Sequence, residues 1–152
     1  MTDYAFQFVG LVHGSIGAAM LALLVLSVWL EKRGKRQSFG AGLALCAALQ
    51  LVQAGAGLTL SAHYEGRLRR MFFLQNPSLA WWLERKEHLA VGAVALTFCA
   101  LAAHLASVHA SEARQAGYRL AATRAAWGAA ALSAISFVSG VVVAAGITSM
   151  LR

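Results

Sequence analysis

Four long apolar stretches, cut apart by short clusters of charge, decide what this chain can fold into. A helix needs about 20 apolar residues to cross a bilayer, and each stretch is long enough. Charged residues are 12% of the 152 and 59% are hydrophobic, whereas soluble domains carry about 25% charge. The runs are continuous and show no period-two alternation, which excludes a transmembrane barrel. The expected fold is all-α: one integral membrane domain over 1–152, an up-down-up-down four-helix bundle, with helices at about 4–30, 39–63, 77–110 and 118–150.

Local signals set those bounds. The first span stops at Glu31-Lys32-Arg33-Gly34-Lys35-Arg36, a charged turn with a glycine. A basic, partly amphipathic connection from Arg67 to Leu74 follows the second. Asn76-Pro77 reads as an N-cap with proline in the first helical position. Trp81 and Trp82, followed by Glu84, Arg85, Lys86 and Glu87, place the start of the third span at the membrane interface. Gly55 and Gly57 in the second span, with Ser133, Ser136, Ser139 and Gly140 in the fourth, are small residues that let helices approach closely in lipid.

The net charge of +7 sits in short loops beside the spans, so it reads as membrane anchoring and not as a nucleic-acid surface. Seven basic residues flank the loops after the first and third spans (Lys32, Arg33, Lys35, Arg36, Arg114, Arg119, Arg124), and six lie at the other end (Arg67, Arg69, Arg70, Arg85, Lys86, Arg152). The basic stop after the first span favours both termini outside, in a bacterial inner membrane. Met1-Thr2-Asp3-Tyr4 has no basic n-region and no A-x-A site follows, so no cleaved signal peptide is expected. Cys46 and Cys99 lie inside apolar spans without a CxxC and read as packing residues.

One pattern repeats 75 residues apart: His13 with Gly17, and His88 with Gly92, each near the start of a long apolar run. Ionisable side chains inside a bilayer are costly and tend to be functional. A histidine with glycine at i+4 offers a ligand nitrogen beside a bare strip of helix. Alternating helix direction brings His13, His63 and His88 to one end of the bundle and sends His104 and His109 to the other. Haem iron accepts axial imidazoles from facing helices. His13 and His88 are the expected pair, with Gly17 and Gly92 against the porphyrin.

Counted from Glu31 and Glu112, the two histidines differ in depth by roughly 9 Å at 1.5 Å per residue. Helix tilt, or an earlier exit of the third span near His104, absorbs that; otherwise His63 replaces one of them. Arg67, Arg69, Arg70, Arg85 and Lys86 crowd the same end and suit haem propionates. His104 and His109 read as interfacial. Gln50 and Gln53 lie deep in the second span and need hydrogen-bond partners on other helices or at a quinone or cofactor cavity. Glu84, Glu87 and His88 could make a metal cluster, but exposed interface charge is the plainer reading. No nucleophile with a base, no phosphate loop and no HExxH is present.

His13, Leu49-Gln50-Leu51, Phe72-Phe73 and Glu87-His88 together resemble a pattern in small four-helix bacterial membrane proteins labelled cytochrome b-like. That family carries a further histidine before Leu-Gln-Leu, where this chain has Ala48. The resemblance implies a redox-linked membrane protein. Two functions are therefore expected in order: a b-type cytochrome holding one haem b between the first and third spans, exchanging electrons with quinol; or a non-catalytic accessory subunit of a respiratory or photosynthetic complex, as a homo-oligomer or within a larger redox assembly. A transporter is disfavoured, because the spans lack proline-broken helices and paired intramembrane charges.

Overall fold

The computed structural model describes residues 3–67 and 69–150, all but 3–7, 63–64, 66–67, 71–72 and 147–150 with their side chains. Five helices follow in order: α1 (Asp3–Lys32), α2 (Arg36–Arg67), α3 (Arg69–Gln75), α4 (Pro77–His109) and α5 (Glu112–Met150). Four carry segments long and apolar enough to cross a membrane: Phe8–Lys32, Arg36–Ala62, Pro77–His109 and Glu112–Gly146. The fold is an all-α membrane bundle.

Helix ends differ from the expected bounds where polar residues themselves favour helix. α5 starts at Glu112 instead of near 118, because Glu112, Ala113, Arg114 and Gln115 are all strong helix formers. The basic connection after α2 is itself the short helix α3. The turn signals hold where a capping geometry backs them. Gly34 takes φ +76°, a conformation that favours glycine. Its N–H bonds the Glu31 carbonyl, and the Lys35 N–H bonds that of Leu30, a Schellman closure of α1. The Asn76 side chain accepts from the Leu79 N–H at 3.1 Å, with Pro77 opening α4.

Contacts run α1–α2, α2–α4, α4–α5 and α5–α1, so α1 and α4 face each other across the diagonal. The interior is thin and built from small residues. Ala122, Ala126 and Ala129 of α5 meet Leu24, Val28, Phe39 and Leu43. Glycines mark the close approaches. Gly92 of α4 lies under Leu132 of α5, and Gly128 of α5 lies under Leu96 of α4, a reciprocal arrangement one turn apart on each helix.

Mid-bundle, the buried Gln50 donates from Nε2 to the Thr97 hydroxyl at 2.9 Å, and that hydroxyl donates to the Ala93 carbonyl at 2.9 Å. This is the interhelical bond that Gln50 was expected to need. Thr97→Val is expected to destabilise the protein by about 1 kcal/mol, by stranding the amide in an apolar interior. Adding Gln50→Leu removes the stranded group and should recover most of that loss. Reversible unfolding in mixed micelles measures both.

Candidate functional site

The inward face of each helix decides which side chains meet. On α1, Gly17, Met20, Leu24 and Ser27 are buried. His13 continues that stripe one turn toward the N-terminus. On α4, Leu79, Ala93, Ala100 and Ser107 are buried. They recur every seven residues, and the missing member is Lys86. His88 lies two residues further on, about 200° around the helix at 100° per residue.

The side chains follow this arithmetic. The His13 ring packs against Gly57 of α2, where a Cβ would come within 3.5 Å of its Cε1. Its Nδ1 is buried and has no hydrogen-bond partner. Gln53 Nε2 reaches the His13 carbonyl at 3.5 Å. Across the diagonal, half-buried Lys86 runs its stem along Gly140 of α5, where a Cβ would stand 3.3 Å from Nζ. Lys86 sits four residues past Trp82, about 6 Å deeper than that interfacial ring. Glu87, the acid whose field reaches it, points outward and accepts from Ser61 at 3.4 Å. His13 and Gln53 thus meet at the α1–α2 crossing beside Gly17 and Gly57, while Lys86 lies on Gly140 of α5 at the same end of the bundle.

The structure places the residues expected at the haem site apart. His88 is exposed; its Nδ1 lies 2.8 Å from the Glu84 carbonyl, one turn back on its own helix. Its ring lines an outer groove with Ser61, Glu65, Arg69, Glu84 and Glu87, on a different side of α4 from Lys86, which lies against Gly140. The glycine strips expected to carry a macrocycle are covered: Gly17 by the Gln53 amide, 2.8 Å from where a Cβ would stand, and by Phe137; Gly92 by Leu132.

Arg69, expected to pair with a propionate, pairs with Glu84 at 3.2 Å and lies over the Phe73 ring. Arg70 is exposed. His63 falls within α2, but its side chain lies outside those described. At the far end, His104 packs edge-on against Phe39 at 5.3 Å and sits over Gly40, so it is a packing residue. Among the described residues no three His, Cys, Asp or Glu side chains gather as a metal site.

The chain matches no family model, no curated protein and no solved structure. What it does must therefore be argued from the polar side chains turned into this end of the bundle, His13, Gln53 and Lys86. Lys86, expected at the rim among the cations that suit haem propionates, turns onto Gly140 instead. It was grouped with the rim cations because Trp81, Trp82 and three other charges surround it. The seven-residue recurrence through 79, 93, 100 and 107 was the available signal.

A haem b gripped between His13 and His88 does not fit this packing. The imidazoles occupy different surfaces, and side chains fill the ground between α1 and α4. The donor set suits a smaller ligand that carries oxygens. An ammonium and an amide donate hydrogen bonds, and an imidazole nitrogen donates or accepts according to its protonation.

Proposed function

We propose that this chain is a quinone- or quinol-binding membrane protein of a redox system, with the ligand's head group held by His13, Gln53 and Lys86. The observation that supports it is the Gln53 amide, which reaches the His13 carbonyl at 3.5 Å and covers Gly17, at the same end of the bundle as the inward-turned Lys86. An ammonium in lipid that forms no ion pair among the described residues is expensive, and ionisable groups inside a span tend to be functional. A quinone offers carbonyl oxygens to that ammonium and to the Gln53 amide. A quinol hydroxyl offers a donor to the free Nδ1 of His13. The isoprenoid tail of such a ligand is soluble in the bilayer that surrounds the helices.

The electron-transfer partner belongs to a larger redox complex in this proposal, with the chain as a subunit in a bacterial inner membrane. Both termini lie outside. The basic run Lys32, Arg33, Lys35 and Arg36 directly after α1 marks the end holding the α1–α2 and α4–α5 turns. That end is then cytoplasmic.

The test is a titration of the purified, detergent-solubilised protein with a short-chain benzoquinone, read by tryptophan emission, beside an absorption spectrum. Saturable binding that weakens at least about tenfold in His13→Ala is expected, a loss of about 1.4 kcal/mol. An absence of saturable binding, or binding indifferent to His13→Ala, overturns the proposal. So does a Soret band that disappears in His13→Ala, which would assign the site to haem b.

A further inference from the structure

The opposite end of the bundle carries a second arrangement, independent of the quinone proposal. It lies along the seam between α1 and α5. Glu31 pairs with Arg119 at 3.7 Å, and this uses the acid that the end of α1 supplies. The next residue, Lys32, places its Nζ 5.3 Å from the ring centroid of Trp127 on α5. Trp127 lies eight residues past Arg119, about 12 Å further along the helix. The ammonium of Lys32 is therefore laid back toward the apolar span instead of outward to water.

Arg124 stands three residues before Trp127 and so shares its face of α5. Lys32 and Arg124 are exposed, Trp127 is 45% exposed, and neither cation meets an acid among the described residues. A little way round the end, Arg33 lies 4.7 Å over Trp29, and Lys35 and Arg36 are exposed as well.

We propose that an anionic phospholipid head group seats on the α1–α5 seam, its phosphate between Lys32 and Arg124 and its glycerol against Trp127. Three features converge on that ligand. The cations outnumber the one local acid, and that acid is already paired. A half-exposed indole marks the level of the head groups. The lysine bends toward that level, where a lipid phosphate sits and a soluble anion does not. Each basic group close to an anionic surface adds measurably to attraction, and two of them flanking one ring define a position as well as an attraction.

Quenching of tryptophan emission by brominated phosphatidylglycerol in mixed micelles tests this, with brominated phosphatidylcholine as the neutral comparison. Trp127→Phe identifies the share of the emission that reports from the seam. Phosphatidylglycerol is expected to quench that share at a much lower mole fraction than phosphatidylcholine. Lys32→Gln with Arg124→Gln should raise the half-quenching mole fraction at least about tenfold. The charge-keeping pair Lys32→Arg with Arg124→Lys should leave it near the original value. Equal quenching by the two lipids, or no change in the glutamine pair, overturns the proposal. Relief of the quenching by millimolar inorganic phosphate also overturns it, because the seam would then be a site for free anions.

Discussion

Lys86→Met is expected to make the ligand-free protein more stable and, in the same molecule, to abolish the quinone binding proposed for it. The two effects have one cause. Burying an ammonium without an acid beside it costs several kcal/mol before any compensation. In this bundle the compensation is slight: the stem of Lys86 lies on Gly140, and the nearest acid, Glu87, faces the outer groove. Methionine keeps the length and flexibility of the stem and removes the charge. A gain of about 2 kcal/mol is expected, in line with replacement of buried charge by apolar groups of similar volume. Unfolding of the delipidated protein in increasing SDS measures it. If Lys86→Met is instead destabilising, the ammonium has a partner within the fold, and the case for an external ligand at this site fails.

Gly42→Leu is expected to have the largest destabilising effect of any single change at the α1–α2 crossing. A Cβ at Gly42 would run into the Ser27 hydroxyl and stand 3.1 Å from the Ser27 Cβ and 3.8 Å from its Cα. Ser27 is itself buried and donates to the Leu23 carbonyl at 2.7 Å, so neither side chain has room to withdraw. The helices must part, and overpacking of this kind costs about 3 kcal/mol. Gly55→Leu on the same helix is the control, because nothing lies within 4 Å of its added carbon; it should unfold at nearly the unaltered SDS fraction. Similar losses at both positions would mean that helix propensity, and not the crossing, sets the cost.

The spans were legible in the sequence because the bilayer demands length and apolarity, and both are visible in composition. The Asn76-Pro77 start and the Gly34 stop were legible because capping chemistry is local. What did not show was the rotation of each helix about its axis. In water, a polar stripe and an apolar stripe reveal which side looks inward. In lipid the surroundings are as apolar as the interior, and Val91, Val138, Val141 and Val142 lie on the outside. The histidine-glycine repeat therefore suggested two equivalent faces where the fold has one. His13 shares the inward stripe with Gly17. His88 does not share it with Lys86, and Gly92 serves the packing of Leu132. Small buried residues at intervals of seven identify the inner face of α4, and they bring Lys86 with them.

The paired notches between the last two long helices limit how this molecule can move. Leu132 sits over Gly92 and Leu96 over Gly128, so a slide in either direction drives one of the two branched side chains into the neighbouring backbone. Piston-like signalling, in which one helix ratchets past another by a turn, is closed to this hairpin. The last two long helices are thereby held in fixed register, and relative motion is left to their looser contacts with the first two.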